Sequence, residues 1–540
     1  MTAADLDAEE LETDVLVIGG GPAGGWAAVS AAETGARVVL VDKGYHGTSG
    51  ATAAGGNNLW YVPPGPDRER AVLAREAAAG GLTDAGWMDR VLDLTWRRVG
   101  DLAGWGYPFP VDEQGTERRS SLQGPEYLRR LRRRVHRAGV RILDHHPATE
   151  LLATADGVVA GAAGLARQDG MRPWRVRAAS TVLATGGCAF LSGSFGTNVD
   201  TGDGQLMAAE AGAELSGMEF STAYALSAAW GVHTKGLMMR YASYYDASGA
   251  PLELPDGTDG RAAANELLAR GETVLARLDR APEGLRAAMW DAQPNYFLPL
   301  QKAGIDPFTD RYPLRMVYEG TVRGTGGLRI VDEDCATTVP GLFAAGDAAT
   351  RELITGAISG GGSHNGAWAI SSGTLAGRAA ARRARRLAGQ PTPAAGPLGR
   401  AGLASDAADP GSAAAVITET QAQILPPERS YRRDQHGLVA ARESLESLWQ
   451  HAVPRLGGAG RELLRGRQAA ALVATGRWIT AAALARPESR GMHRRTDLPD
   501  ADPAWARRLL VGGLDRVWCR PDPVAPVLAG AVHDQLGAAS

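Results

Sequence analysis

Residues 14–58 constrain the fold of this chain more than any other stretch, because they read as strand, glycine turn, helix, strand. Residues 15–18 form a continuous apolar run, the pattern of a strand buried on both faces of a parallel sheet. Gly19, Gly21 and Gly24 follow in G-x-G-x-x-G spacing. The first glycine permits the tight turn, the second lets backbone approach a pyrophosphate, and the third lets helix pack against strand. Pro22 and Ala23 open that helix, whose free N–H groups and dipole favour phosphate charge. A second apolar run, 38–41, ends on Asp42, near the spacing of about 20 residues at which a carboxylate accepts from ribose hydroxyls. A lone glycine motif is weak; flanked by two strands and followed by the acid, it predicts dinucleotide binding. The acid disfavours a 2′-phosphate, so FAD or NAD is expected over NADP.

At 540 residues the chain has room for roughly two to four domains. A net charge of −3 gives no global nucleic-acid footprint, and no nucleic-acid partner is expected. The 70 glycines, close to twice ordinary usage, suit a protein with many close backbone approaches. Cys188, Cys335 and Cys519 lie far apart and form no C-x-x-C, so no zinc or iron–sulfur site is expected within the chain. The acidic N-terminus lacks a signal pattern, and no apolar run reaches the length of about 18 residues that a membrane helix needs. The expected location is cytoplasmic, with no membrane partner.

Further along, prolines and glycine make 61–67 a loop, and 68–105 reads mostly as helix. Arg129, Arg130, Arg132, Arg133, Arg134 and Arg137 read as a solvated helix face, with an anion patch as the alternative. Residues 139–143 open a second strand group, 151–165 and 174–179 read as a β-meander, and 181–187 is a further apolar strand ending in small residues. The adjacent His145 and His146 read as surface or capping residues rather than metal ligands. From 218 to 323 aromatics cluster, followed by an acidic loop at 253–259; this segment interrupts the first pattern and reads as an inserted cap. The first pattern then returns in 341–347 and in a glycine turn at 360–362, with Ser363, His364 and Asn365 opening a helix. Residues 388–409 suit a surface linker, 418–486 read as helices, and 487–540 is turn-rich.

Six segments now stand in a recognisable order: DVLVIGGGPAG, TSGATAAGGNN, VLATGG, TGDGQLMAAEAGAELSGMEF, TTVPGLFAAGD and ARPESRGMHRRTDLPDADPAW. Together they resemble the succinate dehydrogenase/fumarate reductase flavoprotein superfamily, which includes L-aspartate oxidase, 3-ketosteroid dehydrogenase and the adenylylsulfate reductase α subunit. The resemblance covers nearly the whole chain. It implies an α/β architecture: a Rossmann-like FAD-binding domain (1–217 and 325–387), an inserted α+β capping domain (218–324), a linker (388–411) and a C-terminal helical domain (412–540). The cofactor it implies is FAD. Its implied binding residues are Gly19, Gly21, Pro22, Ala23, Gly24, Asp42, Lys43, Ser49, Ala54, Gly55 and Gly56, with Ala148, Thr185, Gly186, Asp203, Gly346, Asp347, Gly362 and Ser363. Asp347 is expected at the ribityl chain, and the turn at 360–363 under the pyrimidine end, where a helix N-terminus stabilises reduced flavin.

The chain also departs from that family. Members with covalent FAD carry a histidine where Ser49 stands, and His46 is out of register by three, so the FAD is expected to be non-covalent. The dicarboxylate-binding set is missing: Tyr224, Val322 with Arg323, and about Ser359 occupy its histidine and arginine positions, and Arg240 is nearest to the proton-relaying arginine. Two carboxylates are best held by bidentate arginines and protonated histidines, so succinate, fumarate and aspartate are not expected. Residues 231–249 and 360–366 are more similar to adenylylsulfate reductase, which draws electrons from an iron–sulfur partner.

The candidate catalytic residues are Arg240 and Arg323, as anion binders or proton donors with an ordinary salt bridge as the alternative, and Tyr224, as a proton donor unless it is a satisfied buried tyrosine. His364 joins them as a neutral base or electrophile at a helix start, with a capping role as the alternative. His493 and Arg490 are expected to dock the helical domain on the FAD domain, and Tyr241, Tyr244 and Tyr245 to line a pocket or a core. Three functional readings follow. The first is an FAD-dependent oxidoreductase transferring a hydride to or from a small organic substrate other than a simple dicarboxylate. The second is a flavoprotein subunit with an iron–sulfur or ferredoxin-type electron partner, and the third a flavin-binding protein without turnover. A homo-oligomer stays open.

Overall fold

Strand β1 (Glu9–Ile18) anchors the main sheet of the computed structural model, which describes residues 8–111, 114–234, 237–255, 257–390, 394–404 and 412–528. Parts of the acidic N-terminus, the loop at 253–259, the linker at 388–411 and the tail lie outside the described residues. After β1 come helix α1 (Pro22–Ala32), with proline in its first turn, and strand β2 (Val38–Val41). β1 and β2 pair in parallel from Val15 beside Val38 to Ile18 beside Val41, and every residue of both runs is buried, as the apolar sequence requires.

The strand Arg172–Leu183 lies along the whole of β1, from Glu9 beside Trp174 to Ile18 beside Leu183. The sequence suggested two strands here, and the structure has one whose outer neighbour changes. Its first half pairs antiparallel with Val159–Ala166, and its last three residues pair in parallel with Leu342–Ala344. The expected meander is completed by Ala148–Ala153, and Arg141–Leu143 extends the parallel half beyond β2. The linker region adds a two-residue strand, Gly396–Pro397, to the sheet edge.

The long helix Gly361–Arg386 runs beside α1 in the same direction. Gly373 and Gly377, four apart and so on one face, let the backbones touch: a Cβ at Gly373 would lie 2.3 Å from the Ala23 carbonyl, and one at Gly377 2.2 Å from that of Ala27. This crossing sends both helix N-termini to the carboxyl ends of the parallel strands, where open α/β sheets bind ligands.

Residues 218–324 form an excursion with its own sheet, in the order Ala223–Ala228, Tyr312–Glu319, Leu275–Arg277, Ser243–Tyr245, Pro251–Leu252, and its own apolar core around Met239, Tyr244, Phe297 and Tyr312. Tyr244 belongs to that core, not to a pocket wall. The excursion starts and ends where Leu215–Ser216 pairs with Gly327–Leu328. Helices Ser412–Ile424, Gln435–Ser447 and Arg461–Ala485 make up the C-terminal part, which is not wholly helical. Strands Leu509–Gly512 and Trp518–Pro521 return to the short sheet at the mouth of the excursion, pairing through Leu215–Ser216. Among the described residues no helix is long and apolar enough to cross a membrane.

Candidate active site

The three motif glycines divide their work in the structure. Gly24 is a packing residue, since a Cβ there would sit 1.8 Å from the Gly19 carbonyl; Gly19 itself abuts Ala184, where an added Cβ would come within 2.2 Å of the carbonyl oxygen. A Cβ on Gly21 would meet nothing within 4 Å, because it would enter a cavity at the strand ends. Gly362 is equally bare and faces the same cavity. Neither α1 nor the helix Gly361–Arg386 has a side-chain N-cap, so two positive helix ends converge there.

The cavity wall carries polar atoms that the protein leaves unmet. Thr185 Oγ1, Asp200 Oδ2, Asp203 Oδ1 and Asn365 Oδ1 are buried without a hydrogen-bond partner, and all four residues line it. One such atom costs about 1–3 kcal/mol, so four around one space suit a large polar ligand. With the bare Gly21 backbone at one end, this wall fits a dinucleotide. Asp42 accepts from Gly20 N (2.5 Å), Gly44 N (2.6 Å) and Ser49 Oγ (3.0 Å) while facing the cavity. Lys43 places its ammonium on Val199 O (3.3 Å), Thr201 Oγ1 (2.6 Å) and Asp203 Oδ2 (2.6 Å), so it braces the wall rather than reaching a ligand. His46 is buried on the far side of the turn, with Nδ1 2.6 Å from Gly20 O, and is not on the wall.

Of the residues expected from the sequence at the cofactor, Pro22, Ala23, Gly56, Ala148, Gly186, Gly346 and Asp347 line the cavity. Gly24, Ala54, Gly55 and Ser363 do not. Gly24 is held under the turn, the Ala54 carbonyl accepts from Asn295, the Gly55 carbonyl accepts from Gly124 N and Asn57, and the Ser363 carbonyl accepts from Trp60 N. Sequence reasoning missed Thr197, Asp200, Asn365 and His146. The last had a usable signal: the strand Arg141–Leu143 ends level with β2, Leu143 beside Val41, so the residues after it reach the same rim.

At the cap end Asp347 pairs with Arg351 at 2.5 Å, and Arg351 also donates to Thr321 O at 2.7 Å. Burial raises the Asp347 carboxyl above its usual range, while Arg351 and Arg323 pull it back. Arg323 lines the cavity, with Nε 3.7 Å from Glu319. Arg261, on the cap helix Gly257–Ala269, escaped sequence reasoning; burial lowers its pKa, Tyr244 partly offsets this, and the charges of Arg240 and Arg323 lower it further, so three arginines gather near this end. Arg240 itself is exposed over the ring of Tyr241 at 5.4 Å and is not on the wall.

Two candidates move away from the chemistry. Tyr224 donates its hydroxyl to Leu425 O (2.9 Å) and packs edge-on against Tyr318 and Tyr431, so it ties the cap to the C-terminal part instead of meeting a substrate. Burial pushes that hydroxyl well above its usual pKa. His364 lies outside the wall, tilted on Trp60 at 4.5 Å, with Nδ1 3.1 Å from Gly360 O. Its pKa falls to about 3, in the expected direction, but burial and then Arg75 are the causes. Arg490 does reach the sheet domain, donating to Gly80 O at 2.6 Å; His493 instead meets Arg433 at 2.7 Å.

Comparison with known proteins agrees with this geometry. The chain matches the FAD binding domain family over residues 14–364 and the fumarate reductase flavoprotein C-terminal family over 428–520. It is 26% identical over 553 residues to a fumarate reductase (CoM/CoB) subunit of Methanothermobacter marburgensis, covering 94% of this chain and 98% of that one. It is 28% identical over 553 residues to the L-aspartate oxidase of Streptomyces coelicolor, covering 93% and 91%. Its fold is similar to E. coli quinol fumarate reductase (TM-score 0.80, 20% identity, 96% and 97% covered) and to adenylylsulfate reductase from Archaeoglobus fulgidus (TM-score 0.77, 20% identity, 98% of each chain). The first match spans well over half the chain, which therefore belongs to the FAD binding domain family and is an FAD-dependent oxidoreductase related to the fumarate reductase and L-aspartate oxidase flavoproteins.

Proposed function

We propose that this enzyme moves a hydride between a small anionic organic substrate, other than a simple dicarboxylate, and a non-covalent FAD. When bound, FAD supplies the two-electron acceptor or donor. The observation that carries the substrate reading is Arg323. Lys43, the other cation on the wall, is fully engaged by Val199, Thr201 and Asp203, whereas Arg323 stands 3.7 Å from Glu319 at the cap end. Arg323 binds and orients the substrate anion, Arg261 and Arg240 add positive potential from the cap, and residues 218–324 exclude water over the flavin. Ser49, hydrogen-bonded to Asp42, offers no ring nitrogen for a tether, and His46 is turned to Gly20 O.

The test is Arg323→Ala. FAD content should be unchanged, while reduction or reoxidation of the flavin by the anionic substrate slows at least tenfold, about 1.4 kcal/mol. Unchanged kinetics would remove Arg323 from the site. A second reading, a flavoprotein working with an iron–sulfur or ferredoxin-type partner, is supported by a relative named as a subunit that aligns with 94% of this chain. It predicts slow reoxidation in air that accelerates with added ferredoxin. The free cysteines suit a reducing compartment such as the cytoplasm.

A further inference from the structure

Gly186, Phe195, Thr197, Val199 and Asp200 line one side of the cofactor cavity, and Asp200 is buried. The backbone around that residue is fixed on both sides: its N–H donates to Thr197 O at 3.0 Å, and its carbonyl accepts from Ala189 N at 2.9 Å. The carboxyl fills the space that Gly186 leaves by having no side chain, since a Cβ there would lie 2.3 Å from Asp200 Oδ1. Oδ2 is buried and has no hydrogen-bond partner, on a residue that lines the cavity and is only 4% exposed.

The surroundings do not suit a carboxylate. Lys43 places its three N–H bonds on Val199 O, Thr201 and Asp203, on either side of Asp200 but not on it. The other charged groups acting on it are carboxylates: Asp347 from the turn Gly346–Ala348 after the cap, Asp42 from the end of β2, and Asp203 from the helix Asp203–Glu210. Burial and then Asp347 raise its pKa well above the ordinary carboxyl value, with Lys43 opposing. His146, Glu319 and Arg323 also line the wall. A neutral carboxyl in this position carries an O–H that needs an acceptor, and no acceptor is supplied by the protein at Oδ2.

We propose that Asp200 serves the cofactor site as a neutral carboxylic acid whose hydroxyl donates to an acceptor atom of the bound FAD, so that holding FAD at alkaline pH requires this side chain to hold one proton. The proton comes from solvent, and no other group changes charge. Once Asp200 ionises in the empty site, affinity falls by up to tenfold per pH unit, the slope for one linked proton. The inference rests on the FAD assignment, which tight binding near neutral pH tests separately.

The experiment is a stepwise dilution of the holo-protein from about pH 7 to about pH 10, following flavin fluorescence as FAD is released, for the native chain and Asp200→Asn. Asparagine keeps the shape and a donor but cannot ionise. The native protein should lose affinity progressively, whereas the variant should match it near pH 7 and change little thereafter. Any contribution from the other wall groups is common to both proteins and cancels in the comparison. Equal slopes in the two proteins would overturn the proposal, as would a flat native profile or a variant weakened more than tenfold near pH 7. Should Asp200→Asn fail to fold, calorimetry of FAD binding by the native chain near pH 9 in two buffers of different ionisation heat decides. Uptake of close to one proton supports the proposal, and none refutes it.

Discussion

Gly21 and Gly24 sit three residues apart in the same motif, yet the structure predicts opposite failures when each gains a side chain. Gly21 has φ −71° and ψ −173°, which any residue adopts, and its missing Cβ points into open cavity. Gly21→Val should therefore fold with stability within about 0.5 kcal/mol of the native chain. The valine methyls would occupy the space through which a pyrophosphate reaches the helix N–H groups. Losing two hydrogen bonds to a charged group, each about 1.5–3 kcal/mol, removes about 3–6 kcal/mol, or roughly a hundredfold or more in affinity. Gly24→Ala is the converse: its Cβ would lie 1.8 Å from the Gly19 carbonyl, so helix and strand must separate by more than an ångström. Overpacking of this kind costs about 1–3 kcal/mol or more. Two assays separate the variants: flavin absorbance per polypeptide and thermal unfolding after FAD removal. Gly21→Val retaining one FAD per chain, or Gly24→Ala unfolding at the native temperature, would refute the placement of the phosphate cradle.

Tyr224→Phe removes only a hydroxyl bonded to Leu425 O; it should cost about 1 kcal/mol of stability and leave substrate turnover unchanged, and a loss of turnover at full FAD occupancy would restore Tyr224 as a proton donor. Glu352, whose carboxyl donor partner is Ser216 at 2.5 Å, is pushed up from 4.5 to about 8 by burial and then by Glu219, against the opposing pull of Arg508, Ser216 and Arg486. Between those values the folded protein keeps a proton that the unfolded chain releases, so this group's contribution is greatest below 4.5 and is lost as pH rises towards about 8. The half-buried neutral His364 and the buried neutral His493 act in the opposite sense, so urea unfolding of the native chain and Glu352→Gln should be compared across the window: the variant should gain relative stability as pH rises, and parallel curves would contradict the assignment.

Much of the cofactor half was legible because its signals are local. Apolar runs, glycine spacing and a carboxylate at a strand end place β1, α1, β2 and the turn at Gly360 without knowledge of distant contacts. In sequence the strand Arg172–Leu183 reads as two, because its first half alternates beside an antiparallel neighbour and its last residues are continuously buried beside a parallel one. The pattern records the neighbours, and the neighbours change midway. Strand Leu509–Gly512 pairs with residues some three hundred positions earlier, which no local pattern encodes, and Trp518–Pro521 joins that sheet only by folding back on it. Arg261 and Asp200 became visible only when the cap and the wall were assembled, and Tyr224 lost its candidacy when Leu425 proved to be its partner.

We propose that one FAD is held in the cavity at the end of β1 by main-chain amides and by polar side chains such as Thr185 and Asn365, and is not joined to the polypeptide. Acid precipitation of the purified holo-protein measures this directly. A colourless pellet and one equivalent of FAD per chain in the supernatant are expected; yellow colour remaining with the pellet, or no flavin in the protein as isolated, would overturn this.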